Sequence, residues 1–193
     1  MTELATLGDK IAIEQAMPLS QRWRARTVHE LMTRTAAAHP HRPAISFQLR
    51  AGPRERAETL DWTEFQGQVT RAANLFRRLG VGPGDTVAYL LPNCNETAIT
   101  LLGGATAGIV APINPLLEAE EIGAILREVQ AKVLVTLAPF PKSQVAALAA
   151  EALTHAPQVE TLLEVDLGRH LAPPLKWALP LLRPKAVRGH DAR

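Results

Sequence analysis

The chain has 193 residues, of which 47% are hydrophobic and 21% charged, an ordinary composition for one globular domain with tails. Its formal net charge of +2 is too small to attract nucleic acid by charge alone, so we expect no nucleic-acid partner.

The chain shows no mark of a secreted or membrane protein. Its single cysteine, Cys94, cannot form an internal disulfide. The first residues lack a basic segment followed by an apolar core. No apolar stretch approaches the ~20 residues that span a bilayer. We therefore expect a cytoplasmic location and no transmembrane segment.

The first forty residues predict a lead-in followed by one helix. Residues 1 to 25 show no sustained period and are expected to form a loose lead-in segment. Thr27 and Glu30 have the spacing of a capping box, which predicts a helix start, and Pro40 predicts its end.

A hairpin and a long helix are predicted next. Residues 44 to 49 alternate between polar and apolar side chains, as a half-buried strand does, and residues 57 to 62 can return as its partner. A second capping box spans Thr63 to Gln66, and Gly80 suits the end of the helix that follows. The apolar positions at helical spacing are Phe65, Val69, Ala72, Phe76 and Leu79.

The second half alternates between strands and helices, which is typical of parallel βαβ units. The predicted strands are residues 86–91, 109–113, 132–137 and 159–165, and the predicted helices are residues 94–107 with Asn93 as cap, 118–130, and a helix from the cap Ser143 to Leu153. The predicted fold class is α/β, an alternating strand-helix sandwich preceded by a hairpin.

Prolines interrupt the pattern after Asp166, at positions 173, 174, 180 and 184. The predicted organisation is therefore a lead-in at residues 1–25, an α/β subdomain at residues 26–167, and a Pro-rich, basic, irregular tail at residues 168–193.

Two glycine clusters need an explanation. Gly80 to Asp85 invites a phosphate-loop interpretation, but such a loop leaves a strand and opens a helix, and here the order is reversed. We interpret it as a helix stop and a tight turn. Gly103 and Gly104 lie inside a predicted helix, which favours a close approach of that helix to a strand, with a ligand contact as the alternative.

Asn114 before Pro115 predicts a fixed chain exit, where the Asn114 side chain could contact a neighbouring loop.

The histidines give no metal-site pattern. No two of them have the spacing of a helical metal pair, so we expect structural or solvated roles for all. They are His29, His39, His41, His155, His170 and His190.

An ordered set of segments resembles the start of AMP-forming acyl-CoA synthetases, in the superfamily of adenylate-forming ligases. The resemblance covers roughly residues 27 to 165. Its segments are Arg42 to Ala44, Leu60 to Phe65, Gly80 to Asp85, Leu91 to Asn93, Gly108 to Pro115 and Lys132 to Val135.

The resemblance implies the N-terminal part of that family's fold and a two-step reaction with ATP, Mg²⁺ and coenzyme A. A carboxylate such as a fatty acid forms an acyl-adenylate and pyrophosphate, and coenzyme A then displaces AMP. In the family, the phosphate loop, the magnesium ligands, the ribose-binding aspartate and the late lysine all follow the segment that matches here. No catalytic, cofactor-binding or metal-binding residue is therefore assigned, and no cofactor is expected to bind this chain alone.

Three hypotheses follow from that gap. The first is a truncated or fragmentary acyl-CoA synthetase that is inactive without its missing C-terminal part. The others are a non-catalytic α/β binding module and one half of a split ligase whose partner supplies the phosphate loop.

Overall fold

The computed structural model describes residues 6–52, 57–171, 173 and 175–182. Within these residues the helices are α1 Leu7–Ala16, α2 Leu19–Arg22, α3 Val28–Ala38, α4 Trp62–Arg78, α5 Asn95–Ala107, α6 Ala119–Glu128, α7 Val145–Thr154 and α8 Leu175–Leu182. The strands are β1 Pro43–Phe47, β2 Glu58–Asp61, β3 Thr86–Leu90, β4 Ile109–Pro112, β5 Ala131–Leu137 and β6 Thr161–Val165, and a 3₁₀ turn spans Leu167–His170.

Four of the described strands form a parallel sheet in the order β4-β3-β5-β6. The central strand β3 is buried at every position, and β5 at every position except Lys132. The outer strands β4 and β6 are half-exposed. Continuous apolar runs in β3 and β5 are what burial on both faces requires, so the predicted α/β fold class is confirmed.

Successive residues of a strand point to opposite faces, and the two faces carry different helices. Ala88 and Leu90 pack with residues of α6 and α7, including Ile122 and Ala152. The alternate positions of β3 and β5 pack with α4 and α5, and the residues of this second cluster include Val87, Tyr89, Val133, Ala73, Phe76 and Ala107. The sheet is therefore covered on both sides, as in doubly wound α/β folds.

The predicted hairpin is confirmed as an antiparallel pair of β1 and β2. The hydroxyls of Ser46 and Thr59 face each other across it at 2.7 Å. Leu60 of the hairpin packs with Met32 of α3 and Phe65 of α4 in a third, smaller core.

The ends of the chain contain more regular structure than the sequence predicts. The lead-in holds α1, whose Thr6 and Asp9 form a capping box, and α2, and neither helix buries a residue. The tail begins with the 3₁₀ turn and continues into α8, which contains Pro180. Residues 183–193 of the predicted tail lie outside the described residues.

Four predicted caps are wrong in detail. One of them is Ser143, since Gln144 is the residue that precedes the first residue of α7. Thr27 caps α3, but Glu30 accepts from the Arg26 amide at 2.7 Å instead of completing a box with Thr27. Helix α4 is capped by Asp61, since this last residue of β2 already has the extended backbone of a cap. Cys94 rather than Asn93 precedes the first residue of α5.

The glycines in the predicted helix at residues 94–107 mark close approaches, as expected. A Cβ on Gly104 would lie 3.1–3.2 Å from Val110 of β4, and one on Gly103 would lie 2.8 Å from the Cβ of Ala72 in α4. Gly104 therefore brings α5 onto the sheet, and Gly103 brings α5 against α4. Gly80 has a φ of +82°, as the predicted helix end requires.

Gly108, where α5 meets β4, has the tightest surroundings of these glycines. A Cβ there would lie 2.5 Å from the backbone oxygens of both Gly82 and Asp85. We predict that Gly108→Ala destabilises the fold by more than about 2 kcal/mol, because backbone cannot move aside as a flexible side chain can. Gly84→Ala is the matched control, since a Cβ at Gly84 meets nothing within 4 Å. Urea unfolding followed by circular dichroism compares the two, and equal midpoints would contradict this account.

Candidate functional site

The strand order places a topological switch point between β3 and β5. From β3 the chain passes through α5 to β4 on one side, and from β4 it crosses through α6 to β5 on the other side. In open parallel sheets, ligand sites form at the carboxyl ends of the strands beside such a point. The carboxyl edge of this sheet is therefore the expected place for a functional site.

A cluster of charged side chains lies at this edge, built from three separate parts of the chain. Glu96 lies in the first turn of α5, which follows β3, and Arg169 and His170 end the 3₁₀ turn that follows β6. Glu58 is the first residue of β2 in the hairpin. We call Glu58, Glu96, Arg169 and His170 the carboxylate-histidine cluster.

Arg169 joins the two carboxylates. Its Nε donates to Oε1 of Glu96 at 2.7 Å, and its Nη2 donates to Oε2 of Glu58 at 2.8 Å. The Nδ2 of Asn95 also donates to Oε2 of Glu58, at 2.9 Å. The cluster therefore fastens the start of α5, the hairpin and the 3₁₀ turn to one another.

His170 is the most buried member of the cluster, with 7% of its side chain exposed. Its imidazole ring packs edge to face with the Phe47 ring, at a centroid distance of 5.0 Å and an interplanar angle of 75°. Its Nε2 lies 3.6 Å from Oε1 of Glu96, and its Nδ1 lies 3.8 Å from Oε2 of Glu58. Both distances exceed a hydrogen bond, so the imidazole faces the carboxylates without bonding to them.

Glu58, Glu96 and His170 each offer one potential metal-ligand atom, and these atoms lie within 4.8 Å of one another. Sequence reasoning missed this arrangement, because the glutamates and the histidine share no local spacing. The sheet order brings these side chains together, and no local sequence pattern predicts that they are neighbours.

The glycine-rich turn lies between a helix and a strand, in the order that the sequence predicts for a helix stop and a tight turn. It follows α4 and precedes β3, and the amide of Gly82 already donates to Oδ2 of Asp85 at 2.7 Å. Asn114 accepts from the amide of Leu116 at 3.0 Å. The Asn114 contact is therefore a local turn at the end of β4, and the expected contact to a neighbouring loop is wrong.

Cys94 lies beside the cluster, at the start of α5, and 7% of the residue is exposed. Burial raises the pKa of its thiol above the ordinary value, and this effect exceeds that of the Thr97 hydrogen bonds, which lower the pKa. A position at a helix N-terminus often lowers the pKa of a thiol. For Cys94 the pKa is raised instead, because burial has the larger effect.

Arg169→Ala should lower the free energy of unfolding by about 1–2 kcal/mol, because it removes two charge-assisted hydrogen bonds and leaves two carboxylates facing each other. The lower part of the usual range applies, since 47% of the Arg169 side chain is exposed. Arg34→Ala is the control, because it breaks an exposed pair with Glu30 on one helix and should change stability little. Thermal unfolding of both variants tests this. An Arg169 variant as stable as the control would refute the bridging role.

We predict that the native Cys94 thiol reacts slowly with Ellman's reagent at pH 7.5. The raised pKa leaves less thiolate at that pH, and burial limits access of the reagent. Unfolding in urea removes both effects, so the rate should rise to that of a free small thiol. Equal rates before and after unfolding would contradict the burial of this side chain.

No helix within the described ranges is long and apolar enough to cross a membrane.

Comparison with solved structures shows that the fold resembles that of a CoA ligase. The chain superimposes on the anthranilate CoA ligase AuaEII, solved with anthranoyl-AMP, with a TM-score of 0.56 at 20% identity. The match covers 69% of this chain and 24% of that one.

Curated relatives agree with the structural match. The chain is 34% identical over 122 residues to the marinolic acid–CoA ligase of Pseudoalteromonas sp. strain SANK 73390, covering 63% of this chain and 19% of that ligase. It is 33% identical over 120 residues to the long-chain-fatty-acid–CoA ligase of Bacillus subtilis strain 168, covering 61% and 20%. The chain thus spans about a fifth of the length of the curated relatives it matches. The family model for AMP-binding enzymes matches residues 32–185, so the chain belongs to the AMP-binding enzyme family, within which its relatives are acyl-CoA ligases.

Proposed function

We propose that this chain is the N-terminal scaffold of an acid–thiol ligase that joins a carboxylic acid to coenzyme A at the expense of ATP. The observation that carries the proposal is the family match over residues 32–185 together with relatives that are CoA ligases. The complete reaction would use ATP and Mg²⁺ to form an acyl-adenylate, and coenzyme A would then displace AMP. Fatty acids are the substrate class we favour, since one of the relatives is named a long-chain-fatty-acid–CoA ligase.

The chain alone is proposed to be inactive. Phosphoryl chemistry of this kind needs a flexible loop of Gly, Ser and Thr with a lysine to hold the phosphates of ATP. No such loop occurs in the sequence. The glycine turn that comes nearest to it directs its Gly82 amide to a carboxylate of the chain itself.

The outer strands support a scaffold role. Ile109 at the start of β4 is 52% exposed and Leu162 in β6 is 38% exposed, whereas β3 is buried throughout. Exposed apolar positions on edge strands favour association with further protein. We propose that the remaining part of the ligase covers these strands. The buried, unpaired Cys94 suits the reducing cytoplasm, which is the location we favour.

The direct assay incubates the purified chain with ATP, Mg²⁺ and a panel of fatty acids, and measures pyrophosphate. We expect release at the background level while circular dichroism shows a folded α/β protein. The Bacillus subtilis ligase serves as the positive control. Carboxylate-dependent release by this chain alone would refute the scaffold proposal.

A chimaera tests the scaffold role in the same assay. Residues 27–165 of this chain replace the matching stretch of the Bacillus subtilis ligase, and we expect carboxylate-dependent pyrophosphate release above background. The same chimaera with Gly108→Ala is the control and should lose that release, because the turn between α5 and β4 cannot accept a Cβ. A chimaera that is folded but inactive would count against the proposal.

A further inference from the structure

The carboxylate-histidine cluster contains unsatisfied polar atoms. Within the described residues, the buried side-chain oxygens and nitrogens that lack a hydrogen-bond partner are Oδ1 of Asn95, Oε2 of Glu96 and Nε2 of His170. All three belong to the cluster or to its immediate neighbour, and all three can accept a bond. Buried polar atoms are otherwise almost always satisfied, so this concentration requires an explanation.

We propose that the cluster binds one divalent transition-metal ion, with Zn²⁺ as the ion of choice, through Glu58, Glu96 and His170. This site is separate from the Mg²⁺ that the proposed ligase reaction would use with ATP, and it does not depend on that proposal. Its role is structural, since its ligands come from the hairpin, from α5 and from the 3₁₀ turn.

The distances between ligand atoms suit a metal better than a hydrogen bond. Nε2 of His170 and Oε1 of Glu96 are 3.6 Å apart. Two ligands bound at about 2.0–2.2 Å around a tetrahedral ion lie roughly 3.4 Å from each other. A small movement of either side chain therefore brings both atoms into one coordination shell.

Burial and charge favour the same occupant. The His170 side chain is 93% buried, being 7% exposed, and its free Nε2 faces Glu96. Two carboxylates and one guanidinium leave one excess negative charge when the imidazole is neutral. A mixed set of carboxylate oxygens and an imidazole nitrogen matches first-row transition metals better than Mg²⁺ or Ca²⁺, which prefer oxygen alone.

Arg169 is the competitor for this ion. Its guanidinium bonds to Oε2 of Glu58 and Oε1 of Glu96, and so occupies one oxygen of each proposed carboxylate ligand. Because 47% of its side chain is exposed, it can turn into solvent when the metal arrives. The two cations therefore bind the carboxylates in alternation, and removal of Arg169 should favour the metal.

The test is a titration of the full chain with Zn²⁺ by isothermal calorimetry, with thermal unfolding as a second readout. We expect one ion per chain and a rise in melting temperature, because an ion that binds only the folded state stabilises it. His170→Gln and Glu96→Gln should each weaken binding by at least about 10-fold, as loss of a ligand does. His41→Ala is the control, since His41 is exposed and lies away from the cluster beside Asp61.

The direction in which Arg169→Ala changes the affinity for Zn²⁺ distinguishes a metal site from a salt-bridge cluster. Binding should tighten by about 3- to 10-fold even though the metal-free variant is less stable, since the competing charge is gone. A salt-bridge cluster without a metal role predicts no tightening. Zn²⁺ binding that survives His170→Gln, or binding that Arg169→Ala leaves unchanged or weakens, would overturn the proposal.

A spectroscopic measurement on the unaltered chain does not depend on whether the variants fold. Co²⁺ replaces Zn²⁺ in the unaltered chain, and the imidazole signals of the six histidines are followed by NMR. We expect the signals of His170, assigned through its contact with Phe47, to be perturbed first, at one equivalent. Perturbation of other histidines with His170 unaffected, or no perturbation at all, would show that the site binds no ion.

Discussion

The burial of two adjacent parallel strands on both faces is the constraint on which the rest of this structure depends. β3 and β5 must satisfy their backbone hydrogen bonds from neighbouring strands, because helices cover both of their faces. Close cover requires small residues where helices meet the sheet or each other. Gly104 against Val110, Gly103 against Ala72 and the fully buried Ala149 meet that requirement. The helices in turn fix where each strand ends, and so where the polar edge lies.

That same constraint assembles the charged cluster. In a parallel sheet all carboxyl ends lie at one edge, so the start of α5 after β3 and the 3₁₀ turn after β6 come to the same side of the molecule. Glu96 and Arg169 meet there although they are 73 positions apart in the chain, and Glu58 is 111 positions from Arg169. The hairpin reaches this edge because α4 holds it beside α5 through the third core.

The sequence predicts the central elements and misses the cluster for one physical reason. Apolar runs and helical spacing report on burial, which is large in β3, β5 and α4, and these elements lie close to their predicted positions. Helix α1 buries nothing, so it leaves no apolar period, and the lead-in is wrongly predicted as loose. Caps are missed where a competing polar residue lies nearby, as with Asp61 before Thr63. Charges that meet through sheet order carry no local signal at all.

The four strands of the parallel sheet are buried to different extents. The apolar contacts are concentrated on β3 and β5, while β4 and β6 keep exposed apolar positions such as Ile109 and Leu162. Exposed apolar positions on edge strands favour association with further protein, and the scaffold proposal rests on this property. The cluster joins the segment after β6 to the centre of the structure through Arg169. It thereby fixes the position of the 3₁₀ turn through which the chain leaves β6.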